Sequence, residues 1–188
     1  NNKFITQSNF DSLIRIDDEV DIDQKRNNLI EFFWDVGSLH RVQHAGELPK
    51  VEYDISDSNY NNFQNLNRID KLTVEMEYGV NSISYLFIPT ESNQKLILYH
   101  HGHDGDFLLG ENTIQFLLER NFTVLAITMP LVGMNSQPVV EIDGLGEIKL
   151  FSHEQFRLLD TNNFNPMKFF IHPIQVNVNF LEKEYDFK

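Results

Sequence analysis

Cysteine is absent from the 188-residue chain, and with it go disulfides, thiolate nucleophiles and zinc sites built on sulfur. The absence carries no compartment signal, because a chain without thiols suits a reducing cytosol and an oxidising exterior equally. Localisation is therefore left open. Positive charge is scarce: 15 Lys and Arg stand against 28 Asp and Glu, a formal net charge of −13. Such a polyanion is a poor match for the phosphates of nucleic acid, and no interleaving of aromatic and basic residues suggests RNA binding. No uncharged apolar run approaches the ~18 residues of a membrane span, and no signal-peptide pattern opens the chain. The first residue is Asn1, not Met, which predicts that the native N-terminus has been removed. What is present is apolar mass. Hydrophobic residues make up 41% and Phe alone numbers 16, which excludes a disordered acidic tail and fits one domain, or one domain with an extension.

Acid and amide are concentrated at the front. Residues 11–35 hold eight acidic side chains against Arg15, Lys25 and Arg26. Leu29, Ile30, Phe33 and Trp34 recur there at helical spacing, with Asp21 or Asp23 placed to cap the start and Gly37 to end it. The pattern predicts a peripheral helix that docks through its Phe33/Trp34 edge; an acidic partner-binding helix is the alternative. The Asn-rich residues 57–67 read as a loop, so residues 1–67 are taken as an acidic, Asn-rich N-terminal extension and 68–188 as the folded domain.

From Arg68 the texture changes. Leu72, Val74, Met76 and Tyr78 alternate with polar residues, Gly79 interrupts, and Ile83, Tyr85 and Phe87 alternate with Ser82 and Ser84 before Pro89. This period of two predicts an antiparallel hairpin at the edge of a sheet. Two nearly all-apolar runs, 96–99 and 122–129, flank a helical pattern with Ile114, Leu117 and Leu118 inward and Glu111, Gln115 and Glu119 outward. Strand, helix and strand of this length make a right-handed parallel crossover, so the core is α/β. After Pro130 a long irregular stretch reads as a functional or lid-like excursion. A last helix is expected from Asn165-Pro166, with Phe170, Ile174, Leu181 and Tyr185 on its apolar face and a kink or break at Pro173.

The densest chemistry is His100-His101-Gly102-His103-Asp104-Gly105-Asp106, directly after a buried strand and before a helix. Three imidazoles and two carboxylates in seven residues admit a metal reading. Metallo-β-lactamase-like hydrolases carry H-x-H-x-D-H at a similar strand-to-helix position. Here His101-Gly102-His103 supplies H-x-H, but Gly105 and Asp106 stand where the next ligands belong. A third reading needs no special chemistry: a polar turn with Asp104 or Asp106 as cap.

The stretch 96–102, LILYHHG, resembles the third strand and oxyanion turn of the α/β-hydrolase family. The helix that follows resembles the family's first flanking helix, and 124–136, VLAITMPLVGMNS, its next strand and loop. The residues from His153 through NPMKFFIHPIQVNVNFLEKEYDFK are similar to the segment ahead of the nucleophile. The resemblance covers residues 68–188. It implies a partial, three-layer α/β/α hydrolase fold with a helical N-terminal extension and a hairpin at the sheet edge. His101-Gly102 corresponds to the family's HG pair, which implies that the backbone N–H of His103, then that of Asp104, are the oxyanion donors. The side chains of His100 and His101 then brace the loop.

The family's nucleophile sits in G-x-S-x-G on the elbow after the next strand, with the acid and the histidine later in the chain. No G-x-S-x-G occurs in these 188 residues. Ser136 is a loop serine, and His153 and His172 precede the nucleophile position, so neither serves as triad histidine; each reads as a core or surface histidine, with His153 lying in the long excursion, where it can face a substrate cleft. The expectation is therefore an ester or amide hydrolase of which this chain supplies the oxyanion loop, and the chain alone is inactive. Its partners are then a small ester or peptide substrate and the remainder of the same chain or a second subunit, with no nucleic acid, membrane, metal or organic cofactor. The alternatives are an inactive hydrolase-like binding module and a metal-dependent hydrolase acting through the His/Asp loop.

Overall fold

A computed structural model describes residues 18–34, 47–103, 105–136, 139–142, 144, 146–159 and 165–188, with the side chains of residues 20, 32–34 and 142 outside that description. Helix α1, Glu19–Trp34, begins earlier than the sequence suggests, because Asp18 and not Asp21 or Asp23 caps it: its Oδ1 accepts from the Asp21 N–H at 3.0 Å. Ile22 and Leu29 on this helix are exposed. Gly37 and the Phe33/Trp34 side chains, on which the docking expectation rests, lie outside the described residues.

The centre is a five-stranded mixed sheet: β1 Lys50–Glu52, β2 Leu66–Glu75, β3 Asn81–Pro89, β4 Leu96–His100 and β5 Thr123–Ile127, in the spatial order β1-β2-β3-β5-β4. β2 and β3 form the antiparallel hairpin expected from their alternation, turning through Tyr78 and Gly79, both at positive φ. The hairpin is not the sheet's edge, however. β1 adds outside β2, and β3 pairs with β5 on its other side. Tyr60 and Phe63, from the stretch read as extension, also pack into the main core, so the domain gathers residues ahead of Arg68.

β4 and β5 pair in parallel, with His100 opposite Ile127, and are joined by α2, Glu111–Leu118. Successive side chains of a strand face opposite ways, and this decides the layers. Tyr85, Phe87, Val124 and Ala126 meet Ile114 and Leu118 of α2 on one face. Leu72, Leu86 and Leu125 meet Phe180 and Leu181 on the other. Those last two belong to α3, Lys168–Glu184. One helix thus covers each face.

Three details depart from the sequence pattern. Ser82 and Ser84, the polar positions of the β3 alternation, are buried at 4% and 1% exposure, because α3 lies over that side; the Ser84 hydroxyl oxygen accepts from Asn177 Nδ2 at 3.1 Å. The apolar run of β4 is not buried on both faces as expected, since β4 is an edge strand and Leu98 is 48% exposed. Pro173 sits inside a continuous α3, whose inner face is Phe169, His172, Pro173, Val176, Asn177, Phe180 and Leu181. Of the expected stripe only Leu181 lies fully on that face, because a histidine, a proline and an asparagine occupy positions that hydropathy assigns outward.

The stretch after Pro130 is structured. It holds a short helical turn at Gly133–Asn135, whose Met134 packs against the main core, while a hairpin of β6 Val139–Ile142 with β7 Gly146–Lys149 and a 3-10 helix at His153–Leu159 build a second small core with Val80 and Phe169. No described helix is long and apolar enough to cross a membrane.

Candidate functional site

His100 is the last residue of β4, and the histidine loop leaves the sheet at the carboxyl end of the parallel pair. Gly102 follows at φ 119°, a left-handed conformation that side chains rarely adopt. Space is not the reason for glycine here, since nothing lies within 4 Å of where a Cβ would be. The turn is held by its own imidazoles. His100 Nδ1 accepts from the Gly102 N–H at 3.1 Å, which puts the neutral ring's proton on Nε2. Burial, and secondarily the neighbouring His101, push the pKa of His100 below its ordinary value. His101 Nδ1 meets the Tyr99 hydroxyl at 2.8 Å. Tyr99 in turn lies over Gly110, and the His101 ring over Gly105, so a Cβ at either glycine would collide with those side chains.

The third histidine reaches across the molecule. His103 Nε2 and His153 Nε2 are 2.9 Å apart with their rings perpendicular at 88°. Such a bond requires one ring to donate and the other to accept, so the pair cannot be doubly protonated and intact. His153 opens the 3-10 helix of the excursion and packs edge-on against Phe170 at the start of α3. The excursion is tied to the histidine loop through this contact.

Asp106 and Asn135 fix the base of the site. The Asp106 carboxylate accepts from the Leu108 N–H at 2.9 Å, capping the turn Phe107–Gly110 that leads into α2. Its other oxygen accepts from the Met134 N–H at 2.8 Å. Gly133, at φ 48°, has the carboxylate where a Cβ would sit. Asn135 is fully buried: its Oδ1 accepts from the Ile83 N–H at 2.6 Å, and its Nδ2 donates to Thr128 O at 3.0 Å and Met129 O at 3.3 Å. Asn135 thus ties β3 to the residues just after β5, and Asp106 ties the start of the Phe107–Gly110 turn to the Gly133–Asn135 turn, in one frame.

A cavity of about 280 Å³ opens on the α3 side of this frame. One wall is carbon from the first turns of α3, including Phe170, Ile171 and Ile174; the sheet wall offers Ser82, Ser84, His100 and Thr128.

The structure therefore brings His100, His101, Gly102 and His103 into one turn at the carboxyl end of β4. Asp104 lies outside the described residues, while Asp106 takes the capping role that the sequence left open between the two. His101 and His103 do not converge: one ring meets Tyr99 and the other His153. Among the described residues no three His, Asp or Glu side chains are grouped as metal ligands. Ser136 is exposed beyond the Gly133–Asn135 turn. His172 is buried on α3, its Nε2 2.7 Å from Glu47 Oε2. Chain position argues against His153 as a triad histidine, and Asn135 falls in a stretch that reads as loop. No local spacing announces either, because their partners lie 50 and 52 residues away. Comparison with known proteins finds no matching family model, no matching curated protein and no matching solved structure.

Proposed function

We propose that the chain is the oxyanion-loop part of an α/β-hydrolase-like serine hydrolase acting on an ester or amide, with the nucleophile and triad histidine supplied by residues outside these 188. The observation that carries this reading is the His101-Gly102 turn, with its left-handed glycine, at the carboxyl end of a parallel strand and beside a cavity. Open α/β sheets bind ligands outside the carboxyl ends of their strands, at the point where connections diverge to opposite sides.

The sheet supports such a point at β4. The crossover from β4 to β5 runs over the α2 face, and α3 leaves β5 over the opposite face. Parallel crossovers are right-handed in about 98% of cases. A strand entered from α3 would therefore run parallel to β5 on the outer side of β4, the edge that no described strand occupies. The Lys188 N–H donates to Gln94 O at 2.8 Å, which holds the residues after α3 against the amino end of β4. A strand laid there ends beside the histidine turn. A serine on its elbow would face the backbone N–H of His103, which would receive the negative charge that develops on the substrate carbonyl oxygen, with Asp104 the second donor that the family resemblance implies. The nucleophile's proton passes to a histidine and then to the leaving group. The imidazoles of the histidine turn do not move that proton: His100 and His101 hold the turn, and His103 meets His153. No metal or organic cofactor is needed.

The test is the reading frame beyond Lys188. It should encode another apolar strand and a G-x-S-x-G within about thirty residues. The longer protein should be labelled on that serine by a fluorophosphonate, while the 188-residue chain is not. A stop codon at that point, or a longer protein that resists labelling and turns over no activated ester, would leave the binding-module reading in place of the enzyme.

A further inference from the structure

The cavity beside His100 has two unlike walls. Phe170, Ile171 and Ile174 present only carbon, whereas Ser84 and His100 present polar atoms at the sheet end nearest the histidine turn. Among the described residues no Asp, Glu, Lys or Arg lines it, so none of them neutralises a charged ligand there. At about 280 Å³ it lies at the small end of ordinary ligand sites, roughly 300–1,000 Å³. Ser84 accepts from Asn177, which leaves its hydroxyl proton for an acceptor in the cavity.

We infer that this cavity binds the acyl chain of a neutral, unbranched aliphatic ester of medium length, its carbonyl end toward His100 and its tail between Ile171, Ile174 and the sheet. The inference deepens the hydrolase reading by naming the substrate class; the binding it describes does not require the serine. A neutral imidazole at His100, favoured by its burial, leaves no cation among the described lining residues to attract a carboxylate.

The experiment uses the 188-residue protein, with methyl butanoate, hexanoate and octanoate displacing a fluorescent naphthylamine probe. Burying a methylene is worth about 0.8 kcal/mol, so affinity should rise about fourfold per methylene until the cavity is full and then level off. Octanoate anion should bind at least about tenfold more weakly than its methyl ester, because burial of an unpaired carboxylate is costly. Ile174→Trp should move the levelling point to shorter chains and Ile174→Ala to longer ones, a gain that a misfolded protein cannot produce. Affinity independent of chain length, anion binding equal to that of the ester, or a levelling point that Ile174→Ala leaves in place would each overturn the assignment. A longer protein that resists fluorophosphonate while the 188-residue chain keeps the chain-length series would remove the serine reading and keep the cavity.

Discussion

Asn135→Ala is the sharpest test of how the site is built. In the wild type this fully buried amide satisfies the Ile83 N–H and the carbonyls of Thr128 and Met129. Alanine removes all three bonds at once and opens a small void. A buried donor left without a partner costs about 1–3 kcal/mol. The carbonyl of Met129 bonds at 3.3 Å, the weakest of the three, and is discounted. Counting the Ile83 N–H and the Thr128 carbonyl gives a loss of about 3 kcal/mol. In urea, with an m-value of about 2 kcal/mol/M, the unfolding midpoint should fall by about 1.5 M with m unchanged. Far-UV circular dichroism across a urea series measures it, with Ser136→Ala as the exposed control, expected within about 0.5 kcal/mol of wild type. A loss below about 1 kcal/mol at constant m would refute the idea that Asn135 ties β3 to the end of β5.

Gly102→Ala forces a Cβ onto a residue at φ 119° and should cost about 1–3 kcal/mol; because a Cβ there meets no atom, a full loss of structure by circular dichroism would contradict the conformational explanation. His100 has a folded-state pKa below its unfolded value, so the unfolded chain takes up the proton first and stability falls as pH drops below about 6.5. His100→Asn should therefore show a smaller drop in urea midpoint between pH 7.5 and 5 than wild type, and an equal drop would count against the burial of this ring. Asp70 is buried, with its carboxylate 3.1 Å from Arg68 Nε and 2.9 Å from the Asp54 N–H. Asp70→Ala should cost about 2–3 kcal/mol, trimmed by the partial exposure of Arg68, and thermal unfolding that leaves Tm within a degree would rule that network out as a support.

Much of the sheet was legible in the residues. The β2–β3 hairpin follows from strict alternation, and the β4–α2–β5 unit from two apolar runs around an amphipathic helix, because each depends on neighbours in sequence. What failed depends on distant contacts. Ser82 and Ser84 look solvated until α3 covers them, and the inner face of α3 is hidden by His172, Pro173 and Asn177, polar or helix-breaking residues whose places are set by packing. β4 reads as doubly buried because hydropathy reports what a strand can bury, not which neighbour is there. The histidine turn was visible as a cluster, and Gly102 within it; the bond from His103 to His153 and the Asn135 frame were not, since each joins segments about fifty residues apart.

β4 has one more consequence. Edge strands in folded proteins commonly carry lysine, proline or a bulge that discourages pairing with strangers, and Leu96, Ile97, Leu98 and Tyr99 carry none of these. Left uncovered, that edge makes yield a matter of concentration and temperature more than of folding free energy, because the same main-chain groups that would accept a strand in register will accept one from any other copy. A gatekeeper charge at Leu98 should raise the fraction recovered from cells while leaving the urea midpoint nearly unmoved. The quality-control machinery of the cell, which samples exposed strand edges and apolar surface, would recognise this chain by β4.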